Sequence, residues 1–119
     1  MKGRTFFIEG NSHLWFAISN PDPEDKVLIV NATSRHGVPR EDSSCLLFKG
    51  DHSCITHDSY IAYKHAMEIN VLKIGQMQHY SQIQCKEIAP DCLIKRIQDG
   101  AKITDFLNSE YEKYFDYFD

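Results

Sequence analysis

Thr33, Ser34, Arg35 and His36 follow one another directly after an aliphatic run, bringing two hydroxyls, a guanidinium and an imidazole within four positions. Hydroxyls donate to phosphate or carbonyl oxygens, a guanidinium pairs with phosphate, and an imidazole moves protons near neutral pH. His13 stands just ahead of a second apolar run, Leu14 to Ile18. Proton transfer beside hydroxyl donors and a cation is the chemistry that phosphodiester cleavage asks for. Each residue also has a structural reading. Thr33 and Ser34 can cap a strand end by bonding the following turn, and His13 can be a strand-end residue bonded to backbone. Arg35 and His36 can be solvated loop residues.

Cys45, His52, Cys54 and His57 are all types that ligate zinc. Their spacing, C-x6-H-x-C-x2-H, is not a paired knuckle pattern, and Leu46 to Phe48 reads as buried strand, so no metal and no cofactor is expected. Buried thiols and loop histidines account for the set. His52 and His57 flank the turn at Gly50-Asp51, which places His52 among the candidate substrate-binding residues with Arg35 and His36.

These residues need a rigid support, and Val27 to Ser34 (VLIVNATS) supplies its centre. Aliphatic residues rich in β-branching suit a strand covered on both faces, and the polar end of such a strand lies at the sheet's rim, where loops carry function. Around it, Thr5 to Ile8, His13 to Ser19, Ser44 to Phe48 and Ser59 to Ala66 read as further strands, separated by Gly10-Asn11-Ser12, Asn20-Pro21-Asp22-Pro23 and the polar loop Arg35 to Ser43. Short strands at regular spacing predict a small barrel or a strongly bent sheet. The period changes after Pro90: Leu93, Ile94 and Ile97 form one apolar stripe, with Gly100 as a stop, and predict a helix. Ser109 to Glu112 has the form of a capping box, leading a short helix that carries Tyr114, Phe115 and Phe118.

The 119 residues fit one domain able to bury a core without a disulfide or metal. No apolar stretch approaches bilayer length, and Met1 to Phe7 runs into Glu9 without a signal-peptide core, so no membrane association is expected and the expected compartment is the cytoplasm, with the four cysteines as reduced thiols. The net charge of −4 is uneven: residues 1–104 carry 12 acids and 12 bases, whereas residues 105–119 carry five acids against Lys113 alone. A neutral body is not the basic surface of a high-affinity nucleic-acid binder, so any such contact must be local.

The order of these features resembles the PemK/MazF-like toxins of toxin–antitoxin systems. The pieces that carry the likeness are TFFI, HLWFAISNP, KVLIVNATS, THDSYIAYKHAMEINVLKIGQM and the helix after Pro90, over most of residues 5–100. In that family an R-P-V-x-V-x-S strand precedes an aliphatic strand ending in T-S or T-G and then a D-S-V segment. HLWFAIS, LIVNATS and Asp58-Ser59-Tyr60-Ile61 stand in those places.

The resemblance implies a mainly β fold, a small SH3-like barrel over residues 1–104 with one or two C-terminal helices, followed by an acidic aromatic tail over 105–119. It implies an endoribonuclease that cuts single-stranded RNA without a metal, pairs as a homodimer and is neutralised by a cognate antitoxin. Thr33 matches the family's threonine, with Ser34 beside it. The family's arginine is absent, since Asn11-Ser12-His13-Leu14 occupies its region. His13, Thr33 and Ser34 are thus the expected catalytic residues, and Arg35, His36 and His52 the expected substrate contacts. The missing arginine leaves a second reading, a non-catalytic member of the same fold that binds a protein or a nucleic acid. The tail likewise has two readings, an aromatic face packed on the body or an acidic mimic that shields the RNA groove.

Overall fold

A computed structural model describes all residues, 1–119. Seven strands are present: β1 (Thr5–Ile8), β2 (Leu14–Ala17), β3 (Lys26–Ser34), β4 (Leu46–Leu47), β5 (Ser59–Ile61), β6 (Met67–Asn70) and β7 (Ile83–Lys86). There are two α-helices, α1 (Val71–His79) and α2 (Asp91–Ile103), and two 3-10 segments, Tyr63–His65 before α1 and Ser109–Tyr117 after α2. The sequence therefore adopts the expected class, a small antiparallel β domain with helices, of which α2 lies after the last strand and α1 between β6 and β7. The strand order is β4-β5-β3-β2-β1-β7, with β6 paired to β3. The sheet stays open at β4 and β7 and does not close into a barrel. No helix is long and apolar enough to cross a membrane.

Strand β3 is the centre of this sheet. It pairs with β2 along one side, while β6 takes its first half and β5 its last three residues on the other. Alternation divides its side chains between two cores. Leu28, Val30 and Ala32 join Leu14, Phe16 and Ile18 in a main core closed by α2 through Leu93, Ile94 and Ile97. Val27 and Ile29 join Phe6, Trp15, Ala17 and Ile83 in a smaller one, closed by Ile74 of α1. Each fully buried aliphatic side chain contributes about 1.5–3 kcal/mol. An aliphatic run with few alternating polar positions is what a strand covered on both faces requires.

Several elements differ from the sequence reading, each for a local reason. Gly100 does not end α2, which continues to Ile103. A Cβ there would meet the Tyr63 hydroxyl, Cys45 Cβ at 2.9 Å and Ser44 O at 3.0 Å, so the glycine permits close approach. The segment expected as one strand over 59–66 breaks after Ile61, because Tyr63 turns inward and its hydroxyl donates to Ile97 O at 2.7 Å. The expected strand over 44–48 shortens to two residues. Helix α1, capped by the Asn70 side chain accepting from Leu72 N, and strands β6 and β7 lie in a stretch where the sequence carried no assignment. The C-terminal turn is 3-10 rather than α and is capped by Asn108, not by Ser109. Its Tyr114 and Phe118 lie inside the main core.

Candidate active site

The second core covers only part of its face of the sheet. Beyond Ile29, the same face of β3 carries Asn31 and Thr33. A cavity of about 530 Å³ opens here, the most spacious in the molecule, with His13, Trp15, Asn31, His65 and Met67 in its wall. That volume suits a nucleotide-sized ligand.

The rings of His13 and His65 line this cavity with centroids 6.3 Å apart. His13 is half-buried at the start of β2, and its backbone N–H donates to Asn11 Oδ1 at 2.8 Å, which fixes the turn that aims it. His65 arrives from the other direction, on the 3-10 turn that the inward rotation of Tyr63 creates. Burial, the positive charge of Lys64 and the neighbouring His13 lower the pKa of His65 below the usual imidazole value, so this ring favours its neutral form. Trp15 and Asn31 are direct cross-strand partners at the back of the cavity. Thr33 Oγ1 donates to Asn31 Oδ1 at 3.2 Å, which leaves the Asn31 NH₂ without a partner in the chain. Trp15 Nε1 is the one buried side-chain nitrogen or oxygen that has no hydrogen-bond partner.

The structure brings some of the residues singled out from sequence together and separates others. His13 lines the cavity, and Thr33 reaches it through its bond to Asn31, a residue the sequence reading did not single out. Ser34 does not join them: its hydroxyl pairs with His57 Nε2 at 2.6 Å, and His57 Nδ1 lies 3.3 Å from Thr56 Oγ1. Arg35 and His36 are exposed on the loop after β3, where the Glu41 carboxylate accepts from the backbone N–H groups of His36 and Gly37. Those two bonds order the loop and help to lower the Glu41 pKa.

His52 lies on neither surface. It is 3% exposed, its Nδ1 accepts from Cys54 N at 3.0 Å, and its Nε2 lies 2.8 Å from Glu87 O. With Nδ1 accepting, Nε2 carries the proton and donates to Glu87 O. Both nitrogens are thus engaged in holding the 52–54 turn against the segment after β7. Cys45 is buried, which pushes its thiol up to about 11, and it does not gather with His52, Cys54 and His57.

His65, like Asn31, is a site residue that sequence reasoning passed over. The sequence pattern places His65 in a strand over 59–66, and only the break after Ile61 turns it toward His13. The available signal was the Tyr-Lys-His run beside Ala66, where the helix and strand periods both fail.

Comparisons with protein-family models, with curated proteins and with solved structures find no match. The chemistry is therefore argued from the cavity itself.

Proposed function

We propose that this protein is a metal-independent endoribonuclease acting on single-stranded RNA, of the kind that the PemK/MazF-like resemblance implies. The observation that carries the proposal is the pair of imidazoles facing one cavity whose wall also carries Asn31, the amide that the Thr33 hydroxyl bonds. Cleavage through the 2′-hydroxyl needs a base for that proton, donors for the phosphorane oxygens and an acid for the departing 5′-oxygen. His65, biased toward neutrality, takes the 2′ proton. The 2′-oxygen forms its bond to phosphorus as the bond to the 5′-oxygen breaks, and His13 gives its proton to the leaving oxygen. The products are a 2′,3′-cyclic phosphate and a 5′-hydroxyl. Asn31 NH₂, oriented by Thr33, donates to the phosphoryl oxygens. Both proton transfers are thereby covered by the chain's own side chains.

The same reading carries a cognate antitoxin and a homodimer as partners. A second reading, a binding module without catalysis, is favoured by the absence of arginine and lysine from the cavity wall, where Glu9 is the sole residue of fixed charge. Incubating the protein with a single-stranded RNA in chelator, and repeating with His13→Ala and His65→Ala, separates the two. The nuclease reading expects cyclic-phosphate ends that each variant lowers by about 10²-fold or more. RNA left intact by the parent protein, or cut by both variants as fast as by the parent, overturns it.

A further inference from the structure

The cavity of His13 and His65 has no arginine or lysine in its wall, so a strand bound there needs cations from beside it to meet its phosphates. Lys64 directly precedes His65 and shares the wall of a neighbouring cleft with Arg40, Tyr60 and Phe106. Burial and then the Lys64 charge depress the His65 pKa, so that charge is felt at the ring. The sheet joins the two places. Asn31 and Thr33 occupy one face of β3, and Tyr60 pairs directly with Thr33, so that face runs from the cavity to the cleft. A further hollow, with Arg35 in its wall, shares Asp42 and Tyr60 with the cleft.

The side chains of Arg35, Arg40 and Lys64 are exposed and form no hydrogen bond, ion pair or cation–π contact within the chain. The other two arginines are engaged, Arg4 with Gln78 and Cys85 and Arg96 with Asp51. The carboxylates of this surface are engaged as well: Glu41 accepts from His36 N and Gly37 N, and Asp42 from Ser44 N and the Thr104 hydroxyl. They moderate the positive charge without pairing with it, which matches a local contact on a neutral body. Phe106 is 50% exposed beside these cations, and its segment is fixed by Thr104, whose hydroxyl donates to Asp42 Oδ2 at 2.6 Å and accepts from Phe106 N at 3.1 Å. Resting on the nuclease reading, we propose that single-stranded RNA leaves the His13–His65 cavity across Lys64 and follows Arg40 and Arg35, whose charges meet its phosphates, while a base stacks on Phe106. Unpartnered cations with a ring among them hold a single strand without reading its sequence, through counterion release and stacking.

The test uses the full chain and a labelled single-stranded RNA whose 2′-hydroxyls are methylated, so that it binds without being cut. Fluorescence anisotropy gives affinity at graded salt, and a thermal melt of each variant reports folding. Lys64→Ala and Arg40→Ala should each weaken binding and reduce the slope of log affinity against log salt by about 0.7, the share of one phosphate on a single strand. Phe106→Ala should weaken binding about fivefold or more and leave the slope unchanged. Lys73→Ala removes another exposed cation, on α1, and should change neither. Unchanged slopes in both cation variants, or an equal fall in Lys73→Ala, overturn the inference. Polyglutamate bound more tightly than the RNA also overturns it, by assigning the surface to an acidic protein. RNA cut by the parent while the cation variants bind as it does removes the track and keeps the nuclease, whereas the expected slopes in a protein that cuts no RNA keep the track and remove the nuclease.

Discussion

Thr33 and Ser34 are neighbours in the chain and work on opposite faces of the sheet: Thr33 Oγ1 bonds Asn31 at 3.2 Å, while Ser34 Oγ bonds His57 at 2.6 Å. Successive side chains of a strand must alternate, so two adjacent hydroxyls cannot serve one phosphate. This division assigns Thr33 to the cavity of His13 and His65, and Ser34 to the loop side.

On the proposed nuclease reading, the pH dependence of cleavage follows from His65. Its lowered pKa keeps the base competent below the usual imidazole value of 6.5, and the rate falls as pH drops through that lowered value. Lys64 is one cause of the lowering, so Lys64→Ala should move the acid limb of the rate profile toward higher pH. Initial cleavage rates at constant ionic strength across mildly acidic to neutral pH check this. An acid limb that stays put, or moves down, contradicts it.

Gly100→Ala should destabilise the protein. In an open helix interior this change is worth about 1 kcal/mol of added stability. Here the methyl group meets the Tyr63 hydroxyl, Cys45 and Ser44 O, and overpacking of that kind costs about 1–3 kcal/mol. A lower thermal midpoint is the expected reading. A higher one would mean that α2 can move away from Cys45 without cost.

His52→Ala should weaken folding rather than chemistry. It strands Cys54 N–H and removes a donor from Glu87 O, a loss of about 1–3 kcal/mol, in a position remote from the cavity wall. Denaturant unfolding measures the loss, and cleavage assayed well below the new midpoint should match the parent chain. A fall in the rate constant of fully folded variant would instead give His52 a part in the reaction.

The acidic tail is predicted to act on stability through Tyr114, which is fully buried and donates to Glu68 Oε2 at 2.6 Å. That bond is the leading cause of the lowered Glu68 pKa, and Lys113 adds to it. The folded value lies below the ordinary 4.5, so the bond's stabilisation is full above pH 4.5 and is lost as pH falls through the lowered value. Tyr114→Phe should cost about 0.5–1.5 kcal/mol near neutral pH and less in acid. Deleting residues 109–119 removes Tyr114 and Phe118 from the core, together with the Phe118 carbonyl that accepts from Gln98 and Lys2. Loss of cooperative unfolding is the expected result. A truncated chain that folds normally and gains RNA binding would establish the tail as a detachable shield.

Much of the framework could be read directly. The aliphatic run ending at Ser34 identified the central strand because β-branched residues without alternation fit only a strand buried on both sides. Proline and glycine located the loops around Asn20 and Arg35, and the stripe at Leu93, Ile94 and Ile97 located α2. Asn70 and Ile69 gave no such signal, because Met67 to His79 passes from strand to helix within one continuous mixed run whose local preferences favour neither.

What the sequence by itself determined was the identity of the strong elements and the presence of an imidazole at the mouth of β2. Tertiary structure alone decided that His65 meets His13, that Ser34 leaves the site, and that His52 holds a turn. Those outcomes depend on Tyr63 reaching Ile97 O and on which face of a strand each residue takes. Both are set by contacts between segments far apart in the chain, which no local pattern encodes.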